Sequence, residues 1–302
     1  MLQLANARCE DVARVAWHGP QEGVATVVNS HAIELKRRQR FEFGENWTRF
    51  LTLLDDDRIE TATESLRTML EVKDLRGRRF LDAGCGSGLF SLAARRLGAR
   101  VHSFDYDPKS VACTAELKRR YYPGDEEWTV EEGSVLEREY LGKLGHFDVV
   151  YSWGVLHHTG AMWDAIRNVS ELTAKGGKLF IAIYNDQGGR SRRWRWVKRK
   201  YNQLPSSLRF LLVIPAAIFN WTPLVLSGLL RGKPLEAFAG YKKNRGMSPY
   251  RDLLDWVGGY PFEVAKPEEI FDFHHQRGFE LVRMKTRGAG LGCNEFVFTK
   301  RD

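Results

Sequence analysis

Residues 79–90 carry the sequence Arg79-Phe80-Leu81-Asp82-Ala83-Gly84-Cys85-Gly86-Ser87-Gly88-Leu89-Phe90. The apolar run before the glycines predicts a buried parallel strand. The apolar spacing after them predicts a helix that stops at Gly98. A strand, a glycine-rich turn and a helix in this order are typical of nucleotide-binding α/β folds. Glycine suits such a turn because its backbone can approach a ligand closely and can adopt positive φ.

A second predicted strand follows this helix and ends in an acid. Residues 98–105 close with Asp105, about twenty residues beyond the glycines, where nucleotide-binding α/β units hold a ribose. Asp82 precedes the glycines, and a carboxylate at that point would repel a pyrophosphate but suit an ammonium or a sulfonium. Because the third glycine, Gly88, also comes earlier than in GxGxxG, the pattern argues against a dinucleotide as the ligand.

Four motifs in order resemble those of the class I S-adenosylmethionine (SAM) dependent methyltransferases. Residues 81–88 resemble the first motif of that family, and Phe104-Asp105-Tyr106-Asp107-Pro108 resembles its acidic second motif. Residues 147–158 and 175–179 are similar to the fourth and fifth strands of the branch that includes the ubiquinone-biosynthesis O-methyltransferases. The resemblance is close over residues 75–185. It implies SAM as the cofactor, with S-adenosylhomocysteine (SAH) as its product, and leaves the methyl acceptor open.

The resemblance implies a doubly wound, Rossmann-like α/β fold with a seven-stranded sheet and a helical lid inserted after strand five. We expect four segments: a helical cap over the cofactor in 1–74, the SAM-binding core in 75–185, a basic and apolar helical lid in 186–262, and the C-terminal part of the core sheet in 263–302. In the last segment the residue pattern predicts a helix over 266–276 and strands over 279–286 and 294–299. This final pair of strands would form an antiparallel edge.

The resemblance also assigns residues to the cofactor. Asp105 would bind the ribose, and Ser134 and Val135 would contact the adenine, although many relatives have an acid where Ser134 stands. Gly84 and Gly86 would admit the methionine end, and Asp82 would help to hold its ammonium. Further predicted cofactor contacts are Cys85, Gly88, Tyr106, Ser152 and Trp153.

The segment before the core offers aromatic and basic side chains to the same site. An aromatic face attracts a cation such as a sulfonium, so Phe43 or Trp47 would lie against SAM if this segment closes over the cofactor. By its distance from the first strand, Arg58 resembles an arginine that reaches the SAM carboxylate in the ubiquinone-type enzymes. The alternatives are a surface arginine at position 58 and a solvated helix face for the basic run 36–40.

Residues 186–262 interrupt the family pattern after the fifth strand. Between residues 186 and 251 there are fourteen Lys and Arg against two acids, so the basic character of the chain is concentrated here. The uncharged run 210–230 is long enough for a membrane span, but the strands on both sides of it belong to one sheet, which excludes a single crossing. Breaks at Pro215, Asn220 and Pro223 predict two short helices instead, 207–219 and 223–230.

Three interpretations of the apolar run remain open: a helical hairpin that caps the acceptor pocket, an element that dips into the interface of a bilayer, or an oligomer contact. The first two favour an apolar or lipid-linked acceptor, and the second gives peripheral membrane contact through residues 190–233.

The Arg- and Trp-rich residues 190–201 have a rival interpretation, since bases interleaved with aromatics can bind single-stranded nucleic acid. Residues 245–262 would form either an ordered loop or a wall of the acceptor pocket.

Two adjacent histidines are the candidates for catalysis. His157 and His158 follow the fourth strand on the acceptor side, and an imidazole with a pKa near ~6.5 can take the proton of a hydroxyl at neutral pH. The main hypothesis is O-methylation of an apolar or lipid-linked, quinone-precursor-like small molecule, with one of these residues as general base. An RNA methyltransferase and a non-catalytic SAM-binding or membrane-associated scaffold protein are the alternatives.

Cysteine usage and the N-terminus bear on the compartment and on metals. The four cysteines are scattered, without a CxxC pattern, and the chain has no HExxH or DxD pattern, so we expect no disulfide framework and assign no residue to a zinc or two-metal site, while magnesium stays open. The first residues mix acids, bases and small side chains and do not resemble a signal peptide. We expect a cytoplasmic protein, either free or peripheral on the inner face of the membrane.

Overall fold

The computed structural model describes residues 31–37, 40–44, 47, 51–52, 54–230 and 249–302. The predictions made for residues 1–30, and for the part of the insertion between residues 231 and 248, lie outside these described residues.

Within the described residues, seven strands form one sheet: β1 Arg79–Ala83, β2 Arg100–Asp105, β3 Trp128–Glu132, β4 Phe147–Trp153, β5 Thr173–Tyr184, β6 Phe279–Lys285 and β7 Cys293–Lys300. Their order is β3-β2-β1-β4-β5-β7-β6. Strands β1 to β5 are parallel, and β7 is antiparallel to both of its neighbours. The predicted doubly wound sheet with an antiparallel edge is confirmed, and its strand order reverses between β1 and β4.

The α-helices around the sheet are α1 Asp56–Leu70, α2 Leu89–Arg96, α3 Pro108–Tyr121, α4 Arg138–Leu144, α5 Met162–Glu171, α6 Gly189–Gln203, α7 Phe210–Leu230, α8 Pro249–Gly258 and α9 Pro267–His275. Residues 31–36 are also helical. The sequence did not predict α4.

Helices cover both faces of the sheet and create two hydrophobic cores. Helices α1, α2 and α3 pack on one face, and α4, α5 and α9 pack on the other. Phe80 and Leu81 are neighbours in β1 and belong to different cores, yet both are fully buried, as a central parallel strand requires. The apolar side chains on one face of α1 all lie in the first core: Ile59, Ala62, Leu66, Met69 and Leu70.

The inserted helices, α6, α7 and α8, form a third hydrophobic cluster. Trp194 of α6, Val213 of α7 and Leu253 of α8 meet there, and Tyr184 at the end of β5 packs against them. Because Tyr184 ends a central strand, the cluster lies beside the carboxyl edge of the sheet.

The prediction of two short helices in residues 207–230 is wrong, because α7 is one continuous helix of 21 residues that contains Pro215 and Pro223. A proline removes one backbone N–H donor and crowds the preceding turn. Val213 and Ala216 on either side of Pro215 are nevertheless both buried in the third cluster, and this packing holds the two halves of the helix together. No helix among the described residues is both long enough and apolar enough to cross a membrane.

Candidate active site

A cavity of about 1320 Å³ lies at the carboxyl ends of β1, β2 and β4, where the strand order reverses. Open α/β sheets bind their ligands at this position. Most of the residues predicted to bind the cofactor or to act in catalysis line it: Phe43, Trp47, Asp82, Gly84, Cys85, Gly86, Asp105, Tyr106, Ser134, Val135, Trp153 and His158.

The glycine turn between β1 and α2 is shaped by close approaches that exclude a side chain. Gly84 has φ +85°, and a Cβ at this residue would lie 2.5 Å from the Val155 side chain. Gly86 has φ +54°, and a Cβ there would lie 3.3 Å from the Trp47 indole. Burial raises the pKa of the Cys85 thiol between them, so Cys85 acts as a small residue in a tight turn rather than as a thiolate nucleophile.

Asp105 connects the end of β2 to the glycine turn. Its Oδ2 accepts a hydrogen bond from the backbone N–H of Gly86, and its Oδ1 accepts one from the backbone N–H of Asp107, each at 2.9 Å. Asp107 in turn accepts a hydrogen bond from the backbone N–H of Gly44 at 2.9 Å, which attaches the N-terminal segment to the same loop. Burial raises the pKa of Asp105 to about 6. The carboxylate predicted to bind the ribose is therefore fixed in orientation before a ligand arrives.

Asp82 lies below the turn in a hydrogen-bonded chain of side chains. Ser91 Oγ donates to Asp82 Oδ2 at 2.5 Å, Ser91 and Ser103 hydroxyls lie 2.7 Å apart, and the Trp128 indole N–H donates to Ser103 at 2.9 Å. Burial raises the pKa of Asp82 to about 7, and the nearby charge of Asp105 acts in the same direction. Asp105, whose pKa is the lower of the two, carries the negative charge at this end of the cavity at neutral pH, which favours a cationic ligand.

Ser134 and Val135 follow β3, on the far side of Asp105 from β1. The Ser134 hydroxyl accepts a hydrogen bond from the backbone N–H of Leu136 at 3.2 Å. The Asn168 amide of α5 donates to the carbonyl oxygen of Val135 at 2.9 Å. The loop is thus held in place where the adenine contact was predicted.

Described residues between 40 and 47 cover the cavity from the N-terminal side. Phe43 lies with its ring centroid 4.9 Å from that of His158. Arg40 donates to the carbonyl oxygen of His158 at 3.0 Å, and its guanidinium lies 4.9 Å from the centroid of the Tyr106 ring. The sequence treated Arg40 only as part of a basic run and did not predict that it links the two ends of the cavity.

The two candidate histidines differ in position. His158 lines the cavity, and the distance of 2.6 Å between its Nδ1 and the carbonyl oxygen of Pro261 places the proton on Nδ1, which leaves Nε2 as an acceptor. Burial lowers the pKa of His158 to about 3. His157 is fully buried away from the cavity, and its Nδ1 accepts the backbone N–H of Tyr184 at 3.3 Å. Only His158 is placed to touch a ligand.

Aromatic and aliphatic side chains line the cavity beside β5 and the inserted helices. This wall consists of Tyr184 at the end of β5, Trp221 of α7, and Leu253 and Trp256 of α8. Trp256 falls in the segment predicted as a possible acceptor wall. Tyr184 and Trp221 were missed, because no local pattern distinguishes an aromatic that faces a cavity from one in a core.

Lys198 of α6 is a fully buried cation beside this wall, and the sequence did not single it out. Its ammonium donates to the carbonyl oxygen of Trp256 and lies 4.3 Å from the centroid of the Trp256 ring and 4.8 Å from that of Phe262. Burial lowers its pKa to about 7. A cation at a helix C-terminus offsets the partial charge of the last carbonyls, so Lys198 fixes the end of α8 against α6.

Besides His157, three predicted residues lie outside the cavity, and each has a structural contact instead. Gly88 starts α2 with φ +77°. The Ser152 hydroxyl donates to a carbonyl oxygen of β1 at 2.7 Å. Arg58 forms an ion pair with Asp55 at the start of α1, and the structure does not bring it to the cofactor end of the cavity.

The residues at the glycine end fit SAM. Gly84 and Gly86 line the cavity with backbone alone, and each oxygen of Asp105 keeps a lone pair for a ribose hydroxyl beyond the backbone hydrogen bond that it accepts. Asp105, with a pKa of about 6, is mainly ionised at neutral pH and gives this end of the cavity the negative charge that suits a sulfonium and an ammonium. Among the residues with described positions, no group of three or more His, Cys, Asp and Glu could hold a metal ion.

The sheet order, the glycine turn after β1 and the acid after β2 together define a class I SAM-dependent methyltransferase, and the resemblance seen in the sequence is confirmed. A model of the methyltransferase domain family matches residues 54–209, more than half of the chain, and the protein belongs to that family.

Curated relatives and a solved structure resemble this chain over different parts of its length. The ubiquinone biosynthesis O-methyltransferase of Xanthomonas oryzae is 36% identical over 112 residues, which cover 37% of this chain and 45% of the relative. The tRNA U34 carboxymethyltransferase of Ectopseudomonas mendocina is 34% identical over 110 residues, 36% of this chain and 33% of that one. The chain therefore matches less than half the length of these relatives. The structure of magnesium protoporphyrin IX methyltransferase from Synechocystis with bound SAM aligns over 94% of this chain and 100% of that one, with a TM-score of 0.47 and 14% identity.

Proposed function

We propose that this protein is an enzyme that transfers the methyl group of SAM to an oxygen atom of an apolar or lipid-linked small molecule. The observation that carries the proposal is the continuity of the cavity. One end is the glycine turn with Asp105, and the other is a wall of aromatic and aliphatic side chains from β5 and the inserted helices. A cofactor at the polar end would present its methyl group to an acceptor at the apolar end.

The chain's contribution to such a reaction is alignment. SAM supplies a methyl group that is already electrophilic. The protein has to hold the acceptor oxygen in line with the S–CH₃ bond and to keep water away, and such positioning supplies several kcal/mol of rate enhancement, up to about 7–11 kcal/mol in favourable cases. Phe43, Tyr184 and Trp256 provide flat apolar surfaces for this purpose. They suit an aromatic or prenylated acceptor better than a polar one.

His158 is the residue that we propose to receive the hydroxyl proton. Its Nε2 is the unprotonated nitrogen, because Nδ1 donates to Pro261. A low pKa makes this imidazole a weak base toward a free phenol. The hydroxyl proton becomes far more acidic as the new O–CH₃ bond forms, so a neutral imidazole at hydrogen-bond distance suffices late in the reaction.

The four-part organisation expected from the sequence belongs to the same proposal. Residues up to 74 would cap the cofactor, and residues 186–262 would form the lid over the acceptor, with 75–185 and 263–302 as the core. Contacts that support this division are the hydrogen bond from Gly44 to Asp107 at the cofactor end and the exposure of Trp221, Leu253 and Trp256 to the cavity. A cytoplasmic location with peripheral membrane contact through residues 190–233 completes the proposal; residues 231–233 lie outside the described part of the chain.

A transfer assay tests the function. The purified protein is incubated with SAM and a panel of catechols and phenols with and without alkyl chains, and SAH and methyl ethers are quantified by mass spectrometry. We expect SAH to form with the alkylated compounds and to be absent with an Asp105→Ala variant. Methylation of transcribed tRNA but of no phenol would favour the RNA methyltransferase alternative. SAH binding without turnover of any acceptor, including a whole lipid extract, would favour the non-catalytic alternative.

A further inference from the structure

Helix α7 has two faces with opposite surroundings. Many of its described apolar side chains are between 51% and 62% exposed: Phe210, Leu211, Ile214, Ile218, Phe219, Leu226 and Leu229. Soluble monomers rarely leave so many large apolar side chains uncovered on one element. This exposed apolar face of α7 therefore indicates a surface that binds a partner.

The other face of the same helix belongs to the proposed acceptor site. Val213 and Ala216 are buried in the third cluster with Leu253 and Val257 of α8. One turn further along, Asn220 and Trp221 line the cavity. A single helix thus separates the uncovered apolar surface from the acceptor end of the cavity, and the distance between them is one helix diameter, about 10–12 Å with side chains.

Helix α6 adds charge of one sign beside this surface. It contains seven Lys and Arg and no acid. All of these basic side chains except Lys198 are exposed. Trp196, which lies between them in the sequence, is 57% exposed. The rings of Trp194 in α6 and Phe219 in α7 lie 6.4 Å apart, so the basic helix and the apolar helix are neighbours.

An anionic bilayer matches both properties at once. The interfacial layer of a membrane takes apolar side chains to a depth of about 5–10 Å, favours Trp, and attracts each nearby Lys or Arg by about 1 kcal/mol when its lipids are anionic. A second copy of the chain would bring two all-basic helices together. A nucleic acid would neutralise α6 but would leave the aliphatic side chains of α7 in water.

We infer that α7 lies in the interfacial layer of an anionic membrane with its exposed apolar face toward the acyl chains, and that the acceptor passes from the bilayer to the cavity beside Asn220 and Trp221. This inference rests on the proposed function for the route of the acceptor, whereas the membrane contact itself does not depend on catalysis. An apolar molecule taken up by this route never crosses water.

Vesicle binding tests the surface without knowledge of the acceptor. The protein is mixed with vesicles of phosphatidylcholine alone or of phosphatidylcholine with phosphatidylglycerol, and the bound fraction is measured by flotation. We expect binding to the anionic vesicles that weakens as salt rises. A double variant, Ile214→Glu with Ile218→Glu, should bind at least about tenfold more weakly, because two exposed apolar side chains that would enter the membrane are replaced by charges. Val282→Glu, at an exposed apolar position on β6, is the matched control and should bind as the parent does.

The competing partners give different results in the same experiments. Equal binding of the parent and the double variant to anionic vesicles, or no binding at low salt, would overturn the inference. So would a dimer in solution that the double variant abolishes, or salt-sensitive binding of polyuridylate without vesicle binding. SAH affinity is measured in parallel and should be unchanged in the double variant. Vesicle binding without methyl transfer would leave the membrane contact standing and count against the proposed function alone.

Discussion

The backbone N–H of Gly86 donates a hydrogen bond of 2.9 Å to the carboxylate of Asp105. One residue supplies the turn after β1 and the other the acid after β2, so the two parts of the cofactor site are joined before any ligand binds. A rigid, preformed site avoids the entropy cost of ordering two loops on binding. Loss of the Asp105 side chain should therefore disturb both the glycine turn after β1 and the loop after β2.

Replacement of Asp105 by Ala should weaken SAH binding by at least about 100-fold. Hydrogen bonds from ribose hydroxyls to a charged carboxylate contribute ~1.5–3 kcal/mol each, and the variant also releases the backbone N–H groups of Gly86 and Asp107. Isothermal calorimetry measures the affinity, and circular dichroism checks that the fold persists. Asp164→Ala, which removes a surface ion pair with Arg167, is the control and should bind SAH normally. Equal affinity in the Asp105 variant would refute the assignment.

Gly84→Ala should destabilise the protein more than Gly77→Ala. Both glycines have positive φ, so each alanine costs about 1–2 kcal/mol of backbone strain. At Gly84 the new Cβ would also overlap the Val155 side chain at 2.5 Å, whereas at Gly77 nothing lies within 4 Å. Crowding of this kind adds about 1–3 kcal/mol. Urea unfolding of both variants measures the difference, and equal losses would show that close approach is not what selects glycine at position 84.

Asp82 should make the ligand-free protein less stable as pH rises. Its pKa is about 7 in the folded state and about 3.9 in the unfolded chain. Between these values the unfolded state has lost a proton that the folded state retains, so the free energy of unfolding falls with rising pH over this window. Asp82→Asn removes this titration. Its stability relative to the parent should therefore increase from pH 4 to pH 7 and then level off; a constant difference would mean that the carboxyl group is ionised throughout.

His158→Gln should reduce kcat by roughly 10² to 10⁴-fold if His158 receives the acceptor proton. SAH affinity should change little, because the side chain lies at the acceptor end. With a pKa of about 3, the imidazole is unprotonated at all ordinary pH values. The parent enzyme should thus show no loss of kcat between pH 8 and pH 5, where a histidine of ordinary pKa would become protonated. A rate that falls near pH 6.5 would argue against the buried, neutral state.

The core of the fold could be predicted because its signals are local. Runs such as Phe80-Leu81 and the turn with Gly84 specify a strand and a glycine bend within a few residues. The prolines of α7 are also a local signal, but they led to the wrong prediction of two short helices. Packing of Val213 and Ala216 in one cluster with residues of α8 outweighs the loss of a backbone hydrogen bond. Tertiary packing of this kind is not visible in a single sequence.

The cofactor half of the site was likewise easier to predict than the acceptor half. Asp105 and the glycines are adjacent to strand ends, and the carboxyl ends of parallel strands meet at one edge. Tyr184, Trp221 and Trp256 come from three distant elements, and their meeting depends on how the inserted helices fold back. Arg58 was assigned by distance along the chain alone, and the nearby Asp55 engages it instead.

Strand β7 completes the sheet from its interior, since it lies between β5 and β6 and pairs Thr299 with Lys178 across the entire insertion. During synthesis on the ribosome, the edge of β5 that pairs with β7 therefore stays unpaired while the apolar inserted helices are being made. Open strand edges and uncovered apolar surface are the features that drive aggregation of nascent chains. We expect the yield of this protein in a cell to depend on chaperone supply during that interval more than on its final stability.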